Sequence, residues 1–174
     1  MKKIYLALVA LLFSFKAHAF IISPYIGVDY IHSATHGYDD INSLNGGSLN
    51  AGIKALGFLS LEGYYQKYFS VNASNSSKTK PEAYGIDLVA DTLNLGIVEL
   101  LTTVGYGKYT LDGGSLGKDL DEFEGDSYRA GFGVQINPTG NIGIRAMYRY
   151  VFPKDNFFKK NTQELTVGIR YYFF

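Results

Sequence analysis

Residues 163–174 read Q-E-L-T-V-G-I-R-Y-Y-F-F, and every second position is large and apolar: Leu165, Val167, Ile169, Tyr171 and Phe173. Between them stand Glu164, Thr166, Gly168, Arg170 and Tyr172. A repeat of two puts alternate side chains on opposite faces of an extended chain, so this is a strand with one apolar face and one polar or small face. Phe174 adds one aromatic residue beyond the alternating set. Alternation alone leaves open which face meets water. A soluble barrel turns its apolar face inward, and a membrane barrel turns it outward to lipid.

Seven further segments alternate in the same way. Residues 24–32 set Ile26, Val28 and Tyr30 against Tyr25, Gly27 and Asp29. Residues 48–56 set Leu49, Ala51, Ile53 and Ala55 against Asn50, Gly52 and Lys54, and residues 58–68 set Leu59, Leu61, Gly63 and Tyr65 against Ser60, Glu62, Tyr64 and Gln66. Residues 83–90 set Tyr84, Ile86 and Leu88 against Gly85, Asp87 and Val89, where Val89 departs from the pattern. Residues 97–109 set Leu100, Thr102, Val104 and Tyr106 against Glu99, Thr103, Gly105 and Gly107. Residues 128–136 set Ala130, Phe132, Val134 and Ile136 against Arg129, Gly131, Gly133 and Gln135. Residues 142–151 set Ile144, Ala146, Tyr148 and Tyr150 against Gly143, Arg145, Met147 and Arg149. Short turns are expected near Gly57, over 92–96 and over 138–141. Long polar loops are expected over 33–47, 69–82, 111–127 and 152–162.

The front of the chain bounds the compartment. Residues 1–19 carry the marks of a cleaved secretory signal peptide: Lys2 and Lys3, an apolar run over 4–15, and a small-x-small site at Ala17-His18-Ala19. That run is shorter than the about 20 residues a spanning helix needs. Residues 20–174 then form one domain. Without cysteine, an exported domain has no disulfides to hold it, so a continuous hydrogen-bonded sheet or a large core must do so. The formal net charge is zero, which gives no support for a nucleic-acid partner.

Glycine decides which face points out. Gly27, Gly52, Gly85, Gly105, Gly107, Gly131, Gly133, Gly143 and Gly168 all share the polar face. A solvated strand face gains nothing from glycine, whereas the narrow lumen of a small barrel needs small residues. A soluble calyx of the lipocalin type would leave these glycines exposed without a reason. The apolar face is nearly free of charge through the strand centres, and its tyrosines gather toward strand ends as interface girdles do. Short turns at one rim and long loops at the other complete the expectation: an eight-stranded antiparallel up-and-down transmembrane β-barrel, turns inside and loops outside.

The segments P-Y-I-G-V-D (24–29), A-G-F-G-V-Q (130–135), A-M-Y-R-Y (146–150) and V-G-I-R-Y-Y-F (167–173) resemble the small outer-membrane barrels of the OmpA transmembrane domain and OmpX type. The resemblance spans residues 20–174. It implies a bacterial outer-membrane location, contact with outer-membrane lipids and lipopolysaccharide, and recognition by the barrel-assembly machinery through Val167, Ile169, Tyr171, Phe173 and Phe174. The peptidoglycan-binding domain that follows some members is not expected. The motifs identify architecture and none is catalytic.

The lumen charges form the best-defined candidate site: Asp29, Lys54, Glu62, Asp87, Arg129, Arg145, Arg149, Glu164 and Arg170. Counted from the turn rim, Glu62, Asp87, Arg145 and Arg170 should share one depth, with Asp29, Arg129, Arg149 and Glu164 nearer the loops. Opposite charges in a tight interior should pair, either as a plug or as a gate to a narrow small-solute pore. A catalytic alternative exists, since some barrels resembling this one modify lipid A. It would have to use His32, Ser33, His36, Asp39 or Asp40, whose spacing matches no nucleophile–base arrangement. No cofactor or metal is expected. The acidic stretch Asp112, Asp119, Asp121, Glu122, Glu124 and Asp126 places Phe123 where a calcium loop wants a ligand. Phe152, Lys154, Phe157, Phe158, Lys159 and Lys160 form a basic-aromatic rim suited to lipopolysaccharide or to a host or surface ligand. The function expected is thus a non-catalytic barrel that displays loops for envelope integrity or surface interaction.

Overall fold

The computed structural model describes residues 22–35, 43–69, 71–72, 78–112, 123–154 and 162–173. They form one all-antiparallel sheet closed on itself. The strands are β1 (Ser23–Thr35), β2 (Leu44–Ala55), β3 (Leu59–Tyr68), the two-residue β4 (Val71–Asn72), β5 (Lys78–Asn94), β6 (Val98–Asp112), β7 (Phe123–Thr139), β8 (Ile142–Pro153) and β9 (Thr162–Tyr172). Each long strand pairs with its neighbour in sequence, β3 pairs with β5, and β9 returns to β1, so eight long strands close a barrel. Closure leaves no free edge around the wall, the condition for burying backbone amides in lipid. Among the described residues, no helix is long and apolar enough to cross a membrane.

Three tight turns form one rim. Leu56 and Gly57 turn β2 into β3 with positive φ (57° and 72°), and Gly96 (φ 85°) turns β5 into β6. At the third, Thr139 Oγ1 accepts from the Ile142 amide. Toward the other rim the strands outrun the alternating segments. β5 begins at Lys78 rather than Ala83, β6 runs to Asp112, and β7 begins at Phe123 rather than Tyr128. The loops expected over 69–82 and 111–127 are therefore strand at their ends. The physical reason is that hydrogen-bond pairing continues, through Lys80↔Asp112 and Leu111↔Phe123, past the point where one face meets lipid. Alternation marks only the lipid-facing length of a strand.

The apolar face points out. Ile26, Val28, Leu49, Leu61, Ile86, Val104, Phe132, Val167 and Ile169 are all exposed, while Asp29, Glu62, Asp87, Arg145 and Arg170 are buried inside. Aromatic rings run along the outer surface of β7 and β8, with Phe132–Tyr148, Tyr148–Tyr150 and Tyr150–Phe152 centroids 5.6, 5.4 and 6.2 Å apart. Val89 is not a lapse in the pattern. It packs inward with Leu101 and Met147, a small apolar cluster inside an otherwise polar lumen.

Candidate functional site

Glu62 lies at the centre of the lumen and is 0% exposed. Arg145 Nη2 donates to its Oε1 and Oε2 at 2.8 and 2.5 Å, and the Tyr25 hydroxyl donates to Oε2 at 2.8 Å. Arg170 Nε approaches Oε2 to 3.5 Å. The Arg170 guanidinium in turn forks onto Asp29, Nη1 to Oδ1 at 2.6 Å and Nη2 to Oδ2 at 2.8 Å, and Asn50 Nδ2 donates to Oδ2 at 2.8 Å. One chain of contacts thus ties β1, β3, β8 and β9 across the bore.

Asp87 anchors a second group. The fork of Arg129 closes on it, Nε to Oδ1 at 2.6 Å and Nη2 to Oδ2, and the same guanidinium stacks 3.3 Å over the Tyr64 ring. Arg149 Nη2 stands 3.8 Å from Asp87 Oδ2, and its Nη1 donates to Thr166 Oγ1 at 3.5 Å. Glu164 accepts from the Tyr68 hydroxyl at 2.5 Å. A third group closes the turn end. Lys54 Nζ bridges Asp91 (2.5 Å) and Glu99 (3.1 Å), while Gln135 Nε2 donates to Glu99, Asn137 and the Tyr172 hydroxyl.

Glycines make this packing possible. A Cβ on Gly105 would overlap the Asp87 carboxylate, and one on Gly168 would overlap that of Asp29. Eight strands leave a bore that side chains alone can fill. Forked guanidinium–carboxylate bonds between groups buried to this degree are strong and directional, and losing one partner strands the other charge. The arrangement ties charges of both signs across the lumen.

Of the charges expected at one depth, the structure brings Glu62, Arg145 and Arg170 together but turns Asp87 toward Arg129 and Arg149. Asp29 joins the Glu62 group rather than the loop-side one. Glu164 and Arg149 are Cα partners, yet each reaches elsewhere. Asp91 lies one residue past the fourth alternating segment, and the period of two that runs through Asp87 and Val89 carries on to it and its bond with Lys54. Glu99, Tyr25, Tyr64 and Tyr68 lie on the inner face, and their roles as partners became visible only once the barrel was closed.

Outside the lumen, His32 is exposed at the loop end, with Nδ1 2.8 Å from Asn45 Oδ1, an amide and not a carboxylate. Ser33, by contrast, is buried on the inward face with Asp29 and Ile31. His36, Asp39 and Asp40 lie outside the described residues, as do Asp119, Asp121 and Glu122 of the acidic stretch. Glu124 and Asp126 belong to β7. Phe152 is on β8 and exposed, and Lys154 follows it, also exposed; Phe157, Phe158, Lys159 and Lys160 are outside the described residues. Val167, Ile169, Tyr171 and Phe173 all point outward in one row, and Phe174 is not described.

Residues 5–173 match the sequence profile described as outer membrane protein beta-barrel domain. No curated protein matches the sequence. Among solved structures, the chain is similar to the N-terminal β-barrel domain of Pseudomonas aeruginosa OprF, at 13% identity and TM-score 0.61, covering 86% of this chain and 97% of that one. It is similar to Neisserial surface protein A at 18% identity and TM-score 0.56, covering 86% and 96%. It is also similar to Ail, the attachment invasion locus protein of Yersinia pestis, at 19% identity and TM-score 0.54, covering 87% and 97%. At such identities the likeness concerns the fold.

Proposed function

The chain belongs to the outer-membrane β-barrel protein family, and from that premise we propose that it is a non-catalytic surface-display barrel whose loops serve envelope integrity or contact with a host or other surface. The observation that carries this is the lumen. Glu62 with Arg145 and Arg170, and separately Asp87 with Arg129, are buried and ion-paired across the bore, which leaves the loop rim as the surface free to work. The leader over residues 1–19 is assigned to export, and the outward row Val167, Ile169, Tyr171 and Phe173 to recognition by the assembly machinery. A structure of Ail holds the heparin analogue sucrose octasulfate. By analogy of fold, the basic-aromatic loop with Lys154, Lys159 and Lys160 is the segment of this chain suited to a polyanion.

A narrow pore is the second reading, and Arg149 favours it. The side chain is buried, and among the described residues its Nε and Nη2 have no hydrogen-bond partner, nor does Oε2 of its neighbour Glu164. A pair that could form and has not is the kind of element a gate needs.

Two measurements separate the readings. Planar bilayers containing the folded protein should stay electrically silent, and steady openings altered in Glu62 or Arg145 variants would replace display with conduction. Replacing Lys154, Lys159 and Lys160 together by alanine should lower retention on immobilised heparin about tenfold, since each lost cation near a polyanion costs on the order of 0.5 kcal/mol. Equal retention would remove this loop from the proposal.

A further inference from the structure

Three strands each interrupt the polar inner face at one position. The inward residues run Asp87, Val89, Asp91 on β5, Glu99, Leu101, Thr103 on β6, and Arg145, Met147, Arg149 on β8. One apolar side chain thus stands between two polar ones on each strand. Leu101 and Met147 are both Cα partners of Gly133, and Val89 pairs with Thr103, one inward step from Leu101. Gly133 makes the contact possible, because a Cβ there would overlap the Met147 sulfur. The thioether therefore lies over β7, and Val89, Leu101 and Met147 join in one cluster, 1, 3 and 1% exposed. The charged groups on either side bond away from it. Asp91 and Glu99 share Lys54 on the turn side, and Asp87 takes Arg129 on the loop side. Arg145, one inward step from Met147, crosses to Glu62, whose Cα partner Asp87 is one step from Val89. Tyr25 and Arg170 reach Glu62 from the strands beyond.

We propose that Val89, Leu101 and Met147 form a dry constriction that sets the barrier to ion passage through the lumen. An ion in a narrow bore must keep its water shell or exchange it for polar groups. Methyl and thioether groups offer neither, so an apolar constriction excludes both water and ions. The charged residues on its two sides could each support a hydrated ion, and the cluster interrupts the path between them. Ion pairs by themselves make a weaker barrier, because a charged group can trade one partner for another. The cluster has no partner to trade. Excluding water also strengthens the pairs beside it, since electrostatic bonds gain where the local dielectric is low. Filling of space alone would be served by an apolar residue at any inward position. Here all three meet at one place, and each is flanked by polar residues. The constriction lies deep in the barrel and is independent of what the loops display.

Ion current through planar bilayers, measured with protein purified folded from outer membranes, tests the proposal. Met147→Ser shortens the side chain and adds a hydroxyl, and should raise the current per folded barrel about tenfold above that of the unaltered protein. Val89→Thr keeps the shape of the side chain while adding a hydroxyl, and should raise it about threefold. Met147→Leu keeps the cluster apolar and should leave the current unchanged. Heat-modifiable migration on gels reports folding, and Val89→Thr keeps the test decisive if Met147→Ser fails to fold. Residues that only fill space would lower the urea midpoint in these variants and leave the current as it was. No rise in either folded variant, or an equal rise in Met147→Leu, would overturn the proposal. Steady openings in the unaltered protein would instead count against surface display, and the ratio of variant to unaltered current would still decide the constriction.

Discussion

Glu62→Ala should lower the stability of the barrel by about 3–5 kcal/mol, the usual consequence of removing one partner from a buried ion pair. The alanine strips Arg145 of its described carboxylate partner, takes the acceptor from the Tyr25 hydroxyl, and leaves Arg170 with Asp29 and the Ile169 carbonyl as its described partners. Urea unfolding of the protein in lipid vesicles measures the loss as a lower midpoint. Glu62→Leu combined with Arg145→Met should recover most of it, because replacing both members of a buried pair by apolar groups of similar volume is often neutral. An unchanged midpoint for Glu62→Ala, together with raised conductance, would mean that the network gates the bore and does not hold the wall together.

Val28→Arg should cost about 2–4 kcal/mol, the penalty for a guanidinium on the lipid face near the bilayer midplane. Val28 is 54% exposed and stands between Leu49 and Ile169 on the neighbouring strands. In a barrel surrounded by water, a half-exposed valine could become arginine with a change within about 0.5 kcal/mol. The same urea titration therefore reports which solvent the outer wall meets. The moderate exposure of Val28 makes the contrast sharp, since nothing in the protein interior would change.

Much of the barrel is legible in single residues of the sequence. Gly168 and Gly105 on the polar face, opposite Val167 and Val104, point to a crowded interior and a lipid-facing exterior. Leu56-Gly57 and Gly96 mark turns whose positive φ the structure displays. Strand ends were legible only where lipid ends. Lys78 to Glu82 carry no apolar alternation, and their strand character comes from pairing, Lys78 and Thr79 with β4 and Lys80 to Glu82 with β6. The inward valine at position 89 looked like an irregularity because its partners, Leu101 and Met147, come from other strands.

The sequence by itself determined the number of strands, the face each side chain takes and the sense in which the wall is turned, because a period of two is a local property of an extended backbone. Only the closed barrel decided which charges meet. Arg145 lies 83 residues from Glu62 and Arg170 lies 141 residues from Asp29. Face assignment carries no information about height, and the height at which two inward side chains meet depends on the register and tilt of every strand between them.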